Sequence, residues 1–563
     1  MEGRKTGWEK EALPGLAALM ENRLGTSLTP IPWVKEGYYY EAQARPGRHP
    51  FHEAGVYYIQ EPSAMAVTEL LDPQPGERIL DLCAAPGGKS SHIASRLKGK
   101  GFLLSNEIHP ARAKILSQNM ERMGVSNGVV VNEEPSRLAA VFPEFFDGIV
   151  VDAPCSGEGM FRKDEEAVEQ WSEEHVKMCA ARQEQILAQA ARMIKPGGRI
   201  VYSTCTFAPE ENEGTVLNFL KCHEDFYLEQ TEGCEKFSHG KPEWAGFGDG
   251  EEKSHEEEAA IYHLERTFRL LPHCLEGEGH FIAVIRRREG IERKEAKRTY
   301  PAYLDRRRNR DVFSLLEAFL KESLADGSSY LNRAEYVMFG DQLYLLPGEM
   351  PDLKGLKVLR PGLHMGTVKK NRFEPSHALA LSLLPEEAKR VYRMEADGEE
   401  TAAYLRGEAL SCRMESWPGN EKGWVLMCAE DWSLGWSKLS GAVLRIIIPK
   451  ASDGCRRLRT LRNKGSHVIR KRCEKGHGFF GKRMDKVKPE GVERLPVYKA
   501  VIRMVEKISG KRVADMGHMN PYLVGSSRVQ SQADIGKIIF AVVGKLCKMG
   551  TGIFAVFKSL SGA

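Results

Sequence analysis

The chain has 563 residues, of which 42% are hydrophobic and 28% charged, so it is neither a disulfide-stapled mini-protein nor a disordered tail. Its length accommodates three or four domains of about 150 residues each. The formal net charge of +4 conceals an asymmetry, because residues 445–563 contain 26 Lys or Arg against 8 Asp or Glu, which leaves the rest of the chain acidic.

The chain opens with residues 1–70, which lack the apolar stretch and cleavage site of a secretion signal. We interpret this part as a small docking segment, and its Tyr38 to Tyr40 offer flat surfaces on which nucleic-acid bases can stack. The whole chain has no apolar run of about 18 residues or more. We therefore expect a cytoplasmic protein that does not contact a membrane.

Residues 71–290 alternate short apolar runs with amphipathic stretches of helical spacing. This pattern predicts an α/β domain with a parallel, doubly wound sheet. The predicted helices include 111–124 and 175–194, and the predicted strands are 78–82, 101–107, 128–133, 146–154, 198–205 and 279–287. In such a sheet a ligand lies beyond the carboxyl ends of the strands.

Three further segments follow this domain. Residues 291–310 are highly charged and predict a linker, whereas residues 311–444 mix short strands and turns, which predicts a compact, mostly β accessory domain. Residues 445–563 form a basic tail.

The turn after the first strand predicts a nucleoside cofactor site. Its glycines let the backbone approach a ligand closely, and its residues are Cys83, Ala84, Ala85, Pro86, Gly87, Gly88 and Lys89. Glu107 ends the next strand, 19 residues beyond Gly88, where an acid can bind a ribose hydroxyl pair. The third strand ends in Glu133 and Glu134, either of which could meet an adenine. The alternative is a structural turn with two solvated carboxylates.

Two cysteines follow the fourth and fifth strands. Cys155 lies just after Asp152, and Cys205 lies in the sequence STCT. A thiol at a strand end facing a polar cleft can be activated as a nucleophile, whereas a buried one packs as a small apolar group. Two at successive strand ends favour the catalytic interpretation. The 12 cysteines include no C-x-x-C pair and no Cys/His cluster at zinc spacing, so we predict no metal site.

These motifs resemble the Sun family of S-adenosylmethionine-dependent RNA 5-methylcytosine methyltransferases. The resemblance covers roughly residues 30–290 and rests on YYIQEPSAM, LDLCAAPGGKS, VDAPCSGEGMFRKD, CAARQEQIL and YSTCTFAPEENE. It implies a Rossmann-like methyltransferase core, a small N-terminal segment and, at 311–444, the PUA-like RNA-binding domain of bacterial members that modify ribosomal RNA.

By the same resemblance, residues 83–89, Glu107, Glu134 and Asp152 would bind S-adenosylmethionine or frame its site, although Glu134 stands where the family commonly has aspartate. Cys205 would add to carbon 6 of cytosine and so activate carbon 5 for methylation, and Cys155 would assist product release. Asp152 would hydrogen-bond the cytosine edge. The target base has to leave its stack, and a base that remains unassigned has to remove the carbon 5 proton.

The expected partner is RNA, either ribosomal RNA or a ribosomal subunit, bound by a monomer. Three basic clusters near the predicted cleft or linker could hold it, unless they are solvated faces: Arg162 and Lys163, Arg286 to Arg288, and Arg306 to Arg310. The alternatives are a transfer RNA substrate, a non-catalytic ribosome assembly factor, a DNA cytosine methyltransferase that uses Cys155 alone, and a small-molecule methyltransferase.

The basic tail departs from the family pattern. After the GWSKLSGAVL stretch, members with this domain tend to continue with a sequence like KNHYPKGLRRL, whereas this chain reads RIIIPKASDGC. One nucleotide string encodes both peptides in adjacent reading frames. We hypothesise that the gene shifts frame near Leu444, and the alternative is a genuine basic RNA-binding extension.

Overall fold

A computed structural model describes residues 2–3, 16–163, 165–232, 234–245, 260–290, 301–348, 350–411 and 422–446. Residues 291–300 of the predicted linker and the basic tail beyond residue 446 lie outside this part of the chain. None of the helices within it combines the length and the apolar character needed to cross a membrane.

The N-terminal segment consists of short elements, namely β1 (Glu2–Gly3), α1 (Leu16–Leu24), β2 (Leu28–Pro30), β3 (Tyr38–Tyr40), α2 (Pro50–Glu53) and β4 (Tyr57–Tyr58). β1 pairs with β4, and β2 pairs with β3, both in antiparallel fashion. Met20, Phe51 and Val56 are buried in one apolar cluster with Tyr392 and Leu444. The segment therefore docks on the C-terminal part of the molecule.

The central region follows with α3 (Pro62–Leu71), β5 (Arg78–Asp81), α4 (Gly88–Leu97), β6 (Phe102–Asn106), α5 (Pro110–Arg122), β7 (Gly128–Val131), α6 (Pro135–Val141), β8 (Phe146–Asp152), α7 (Glu165–Gln170), α8 (Glu173–Met193), β9 (Ile194–Thr204), α9 (Glu213–Cys222), β10 (Phe226–Leu228), β11 (Ser238–His239), β12 (Phe268–Leu270) and β13 (His280–Arg287). Strands β5 to β9 are mutually parallel where they pair. The prediction of a doubly wound parallel sheet is confirmed.

The C-terminal region comprises α10 (Arg310–Ser323), α11 (Ser328–Leu331), β14 (Tyr336–Phe339), β15 (Gln342–Leu345), β16 (Val358–Arg360), β17 (Leu363–Lys369), β18 (Arg372–Pro375), α12 (His377–Ser382), β19 (Val391–Met394), α13 (Glu399–Arg406), β20 (Leu410–Ser411), β21 (Lys422–Ala429), β22 (Trp432–Ser440) and β23 (Val443–Ile446). Most of its strands form two sheets, β14-β15-β17-β18 and β19-β21-β22-β23-β20. The predicted β-rich accessory region is confirmed, and its described residues also include the helices α10 to α13.

The central sheet runs in the order β11-β12-β13-β9-β8-β5-β6-β7-β16, and β10 pairs with β13. The middle strands are apolar without alternation, as in Val129 to Val131, because helices cover both faces of the sheet. β13 is antiparallel to β9 and extends the sheet beyond the parallel strands. The residues that follow β5, β6, β7, β8 and β9 therefore all emerge at one edge.

One strand of the central sheet comes from the accessory region. β16 pairs antiparallel with β7, its Arg360 is buried, and the Arg360 guanidinium donates to the carbonyl of Val125. Next to the strand, the backbone N–H of Asn132 donates to the carbonyl of Lys357 over 2.9 Å. The accessory region thereby covers the edge of the sheet that β7 would otherwise expose.

Candidate active site

The two thiols predicted at successive strand ends lie side by side. β8 and β9 are parallel neighbours in which Asp152 is paired with Ser203, so the following residues leave the sheet together. The Sγ atoms of Cys155 and Cys205 are 3.3 Å apart, and both side chains are partly exposed. This separation is a van der Waals or hydrogen-bond contact between two free thiols. The structure thus forms one two-thiol site from residues 50 positions apart in sequence.

A glycine brings the Cys155 loop against Cys205. The backbone N–H of Gly159 donates to the carbonyl of Cys205 over 2.8 Å. A Cβ atom at Gly159 would lie 2.7 Å from that same oxygen, closer than side chains approach a carbonyl. The glycine in the CSGEG motif is therefore required by the close approach of the two loops.

Beneath the thiols lies a buried polar network that we did not predict from the sequence. The carboxylate of Glu211 accepts a hydrogen bond from the backbone of Ser156 over 3.1 Å and another from the Gln183 amide over 2.7 Å. Burial raises the pKa of Glu211 to about 7 in spite of these bonds. Both side chains lie in motifs that carry the family resemblance, CAARQEQIL and APEENE, which was the available signal.

Asp152 connects the thiol site to the predicted cofactor turn. Its Oδ2 lies 2.8 Å from Lys89 Nζ, and its Oδ1 accepts a hydrogen bond from the Ser203 hydroxyl over 2.8 Å. Partial loss of hydration would raise the pKa of Asp152, but the positive charge of Lys89, with His280 and these hydrogen bonds, holds it below its usual range. Asp152 is therefore an ionised carboxylate beside the thiols.

His280 is a further polar residue at this edge that sequence reasoning missed. It begins β13, and its Nε2 lies 4.0 Å from Asp152 Oδ1, while its Nδ1 lies 3.1 Å from the Ser63 hydroxyl. Burial, followed by the charge of Lys89, lowers the pKa of His280 in spite of the opposing charges of Glu61 and Asp152. The available signal was one histidine at the start of the apolar strand GHFIAVI.

The turn of residues 83–89 joins β5 to α4, as predicted. Gly87 has a φ of 115°, and a Cβ at Gly88 would lie 2.9 Å from Gln60 Oε1, so both positions favour the absence of a side chain. Beneath the turn the Ser90 hydroxyl donates to Asp81 over 2.6 Å, and burial raises the pKa of Asp81 to about 7. The hydrogen bond between Ser90 and Asp81 thus anchors the start of α4 to the end of β5.

The three candidate cofactor acids differ in their surroundings. Glu107 is 3% exposed, and its carboxylate accepts a hydrogen bond from the backbone of His109 over 2.8 Å. Glu133 is also buried, and its carboxylate accepts from the backbone N–H of Lys357 over 2.7 Å. Glu134 is exposed at the start of α6. Of the two acids left open by the sequence, Glu133 is used in an interdomain contact, and Glu134 is open to solvent.

The predicted RNA-binding clusters lie in different places. Arg162 and Lys163 pair with Glu278 at 3.4 and 3.1 Å, at the edge that carries the thiols. Arg286 to Arg288 lie at the far end of β13 from His280, next to the predicted linker and away from the thiol edge. The antiparallel direction of β13 is the reason, because its C-terminal residues reach the opposite edge of the sheet.

The other candidate RNA contacts are partly engaged within the protein. Arg306 donates to the carbonyl of Arg333 over 3.1 Å and lies over the ring of Phe313. Tyr38 to Tyr40 form β3 and are half-buried, and the Tyr39 hydroxyl donates to the carbonyl of Glu276 over 3.0 Å. Burial, with the charges of Glu276 and Glu61, raises the pKa of Tyr39 to about 12.

One group of metal-ligand types occurs away from the thiols. Ligand atoms of Glu36, Glu69 and His92 lie within 4.8 Å of one another. The guanidinium of Arg96 pairs with both carboxylates, at 2.9 Å from Glu36. The positive charge of the Arg96 guanidinium thus balances the negative charge of the two carboxylates.

Comparison with known proteins shows the family to which this sheet belongs. Residues 68–286 match the family model described as 16S rRNA methyltransferase RsmB/F. Residues 10–62 match a model of the RsmF N-terminal domain. Residues 318–383 match a model of the first C-terminal domain of RsmF, and residues 391–451 match a model of its PUA domain. The fold and the match define the class of protein, a Rossmann-like methyltransferase with a PUA domain. The region that we treated as one accessory domain is therefore covered by two models, one for each of its sheets.

The relatives agree with this class. The ribosomal RNA small subunit methyltransferase F of Vibrio vulnificus strain YJ016 is 31% identical over 383 residues, which cover 66% of this chain and 76% of the relative. Its namesake from Escherichia coli O6:H1 is 36% identical over 276 residues, 47% of this chain and 53% of the relative. The chain belongs to the RsmB/F family of 16S rRNA methyltransferases, which confirms the predicted Sun-family membership.

A solved structure is also similar. The methyltransferase homolog protein from Pyrococcus horikoshii is 29% identical, and the match covers 48% of this chain and 81% of that one with a TM-score of 0.39.

Proposed function

We propose that this protein methylates carbon 5 of cytosine in small-subunit ribosomal RNA, using S-adenosylmethionine and a covalent adduct with Cys205. The observation that carries the proposal is the contact of 3.3 Å between the Cys205 and Cys155 thiols beside the ionised Asp152. Methyl transfer to an oxygen or nitrogen atom needs no thiol, whereas carbon 5 of cytosine has to be activated by a nucleophile at carbon 6. The names of the relatives support ribosomal RNA as the substrate.

The residues at the neighbouring strand ends fit the cofactor. The glycine turn admits a ligand against its backbone, the carboxylate of Glu107 suits a ribose hydroxyl pair, and the exposed Glu134 suits the adenine side. When bound, S-adenosylmethionine supplies an electrophilic methyl group. Lys89 and Asp152 would frame the site toward the thiols, since they pair at 2.8 Å.

The thiols and the charged side chains near them have separate roles in the proposed reaction. Cys205 loses its proton to solvent and, as the thiolate, bonds to carbon 6 while the carbon 5–carbon 6 double bond opens. The carboxylate of Asp152 accepts a hydrogen bond from the amino edge of the cytosine, and the positive charge of Lys89 stabilises the negative charge that develops on the ring. The hydrogen bond with Cys205, followed by exclusion from water, raises the pKa of Cys155 well above its usual value. Cys155 therefore stays a protonated thiol that can stabilise the Cys205 thiolate as it leaves the product.

The experiment that tests the proposal is bisulfite sequencing of total RNA from cells with and without the gene. We expect at least one cytosine of the small-subunit ribosomal RNA to lose its protection in the deletion strain and to regain it when the gene is restored. Loss of protection in transfer RNA alone would assign the enzyme to that substrate. Unchanged protection in all RNA would contradict cytosine methylation.

A further inference from the structure

The proposed reaction needs a base that the two thiols do not supply. After methyl transfer, carbon 5 of the adduct bears both the methyl group and its original hydrogen. A base has to remove this proton, whereupon the electron pair of the C–H bond forms the carbon 5–carbon 6 double bond. The bond between carbon 6 and the sulfur of Cys205 breaks, and its electron pair leaves with the Cys205 thiolate.

Three ionisable groups near the thiols are poorly suited to this step. The carboxylate of Asp152 is bound by Lys89 and Ser203 and has a lowered pKa, which makes it a weak base. Cys155 has a raised pKa and is already protonated. Glu211 is fully buried beneath the loop, where its oxygens accept hydrogen bonds from the protein.

The pairing of β13 with β9 places His280 at the nucleophile. Phe281 is the partner of Thr204 in this antiparallel pair, so His280 and Cys205 are the next residues along the two chains. Side chains alternate along a strand, which puts Cys205 on the same side as Ser203. Ser203 contacts Asp152 Oδ1, and the Nε2 atom of His280 lies 4.0 Å from this same oxygen. The imidazole thus lies at the sheet edge that carries Asp152 and Cys205, with Nε2 4.0 Å from Asp152 Oδ1.

A chain of hydrogen bonds selects the tautomer of His280. The hydroxyl of Ser63 donates its proton to the Glu61 carboxylate. The oxygen of Ser63 therefore has to accept from His280 Nδ1, which lies 3.1 Å away and must carry the hydrogen. The lone pair then resides on Nε2, toward Asp152. A proton taken up there would create an imidazolium between the carboxylates of Glu61 and Asp152, which stabilise it.

We propose that Nε2 of His280 is the general base that removes the carbon 5 proton, an assignment that rests on the proposed cytosine methylation. Nε2 gains the proton, Nδ1 keeps its own, and solvent later takes the extra proton. The ring is neutral at physiological pH, because burial and Lys89 outweigh Glu61 and Asp152 in setting its pKa. Charged groups face it from three elements: Lys89 on α4, Asp152 at the end of β8, and Glu61 before α3.

The test uses the full-length enzyme, S-adenosylmethionine and a 16S ribosomal RNA transcript labelled with 5-tritiated cytidine. Methyl incorporation, tritium release and the covalent complex on a denaturing gel are followed in a single turnover. We expect His280→Gln to methylate and to accumulate the complex, while it releases tritium about 100-fold more slowly than the wild type. The matched control is His263→Gln, which changes an exposed histidine and should release tritium at the wild-type rate.

Rescue separates a base from a structural residue. Imidazole should restore tritium release by His280→Ala, and it should not resolve the complex that Cys155→Ala accumulates. Tritium release by His280→Gln at the wild-type rate would overturn the assignment. It would also be overturned if imidazole failed to restore tritium release by His280→Ala. A wild-type enzyme that releases no tritium would instead refute the proposed cytosine methylation.

The wild type provides a measurement that does not depend on how the variants fold. As the pH falls from about 8, protonation of His280 should make the methylated covalent complex accumulate in rapid-quench samples. Accumulation that increases with rising pH instead would overturn the assignment.

Discussion

At the scale of single residues, the proposed mechanism assigns different roles to two thiols that are in contact, Cys155 and Cys205, because it uses only one of them as the nucleophile. The loop conformation gives each of them a distinct environment. Cys205 follows the strand that pairs with His280's strand, and Cys155 lies in the loop held by Glu211. The same local geometry therefore predicts different outcomes for the two substitutions.

Cys205→Ala removes the proposed nucleophile and should lower methylation of a 16S ribosomal RNA transcript by a thousandfold or more, on the order seen for lost nucleophiles. Cys155→Ala should instead accumulate a protein–RNA complex that survives denaturation, because departure of the Cys205 thiolate is slowed. Methyl transfer from labelled S-adenosylmethionine and denaturing gels measure both. Cys222→Ala, at an exposed cysteine, is the control. Undiminished methylation by Cys205→Ala would exclude the covalent mechanism.

Glu211 predicts how stability depends on pH. Its pKa of about 7 in the folded protein exceeds the ordinary value of 4.5, so folding favours the protonated form. The stabilisation is complete below the unfolded value and is lost as the pH rises through 7. Glu211→Gln, which mimics the protonated group, should therefore gain stability relative to the wild type between pH 5 and pH 8, by up to about 3 kcal/mol. Urea unfolding at pH 5 and at pH 8 measures the free energy of unfolding of both proteins. A stability difference between them that does not change with pH would contradict the prediction.

At the scale of elements, the pairing of β16 with β7 shapes the loop that follows β7 at the proposed cofactor site. The predicted third strand extends to residue 133, whereas β7 ends at Val131, and the backbone N–H of Asn132 donates to the carbonyl of Lys357 just before β16. Glu133 then turns toward the backbone of Lys357 and leaves Glu134 at the start of α6. The accessory region thus shapes the loop that is proposed to meet adenine.

Glu133→Ala should leave the Lys357 N–H without its acceptor and destabilise the protein by about 1–3 kcal/mol. The affinity for S-adenosylmethionine should fall as well, because the loop with Glu134 loses its support. Glu133→Gln retains an oxygen acceptor and is the matched control. Thermal unfolding and isothermal titration calorimetry measure the two effects, and equal cofactor affinities of the Ala and Gln variants would show that β16 has no influence on the site.

At the scale of the whole molecule, the two ends of the described chain are packed together. Phe51 and Tyr57 of the N-terminal segment share a core cluster with Tyr392, Leu434 and Leu444 of the PUA region. The catalytic sheet, the accessory sheets and the N-terminal segment are consequently joined by apolar packing and by hydrogen bonds, among them those from Arg360 to Val125 and from Tyr39 to Glu276.

Removal of the basic tail tests the frameshift hypothesis. A chain that ends after Ala451, where the match to the PUA model ends, should keep the melting temperature and the methylation rate of the full chain. A chain that ends after Ala388 is the control and should be unstable, since Phe51 and Tyr57 lose their partners. A shorter chain that binds RNA more weakly, with a smaller salt dependence, would show instead that the removed residues 452–563 belong to a genuine RNA-binding extension.

The sequence by itself determined the parallel, doubly wound character of the central sheet, the glycine turn at residues 83–89 and the places of both cysteines after their strands. These features depend on local patterns, namely apolar strands, a Gly-rich turn and short motifs that alternate along the chain. Only the tertiary structure decided that Cys155 contacts Cys205, that His280 faces Asp152, and that β16 joins the catalytic sheet. Each of these depends on contacts between residues 50 or more positions apart, and such contacts follow from strand pairing and burial, which leave no local trace in a single sequence.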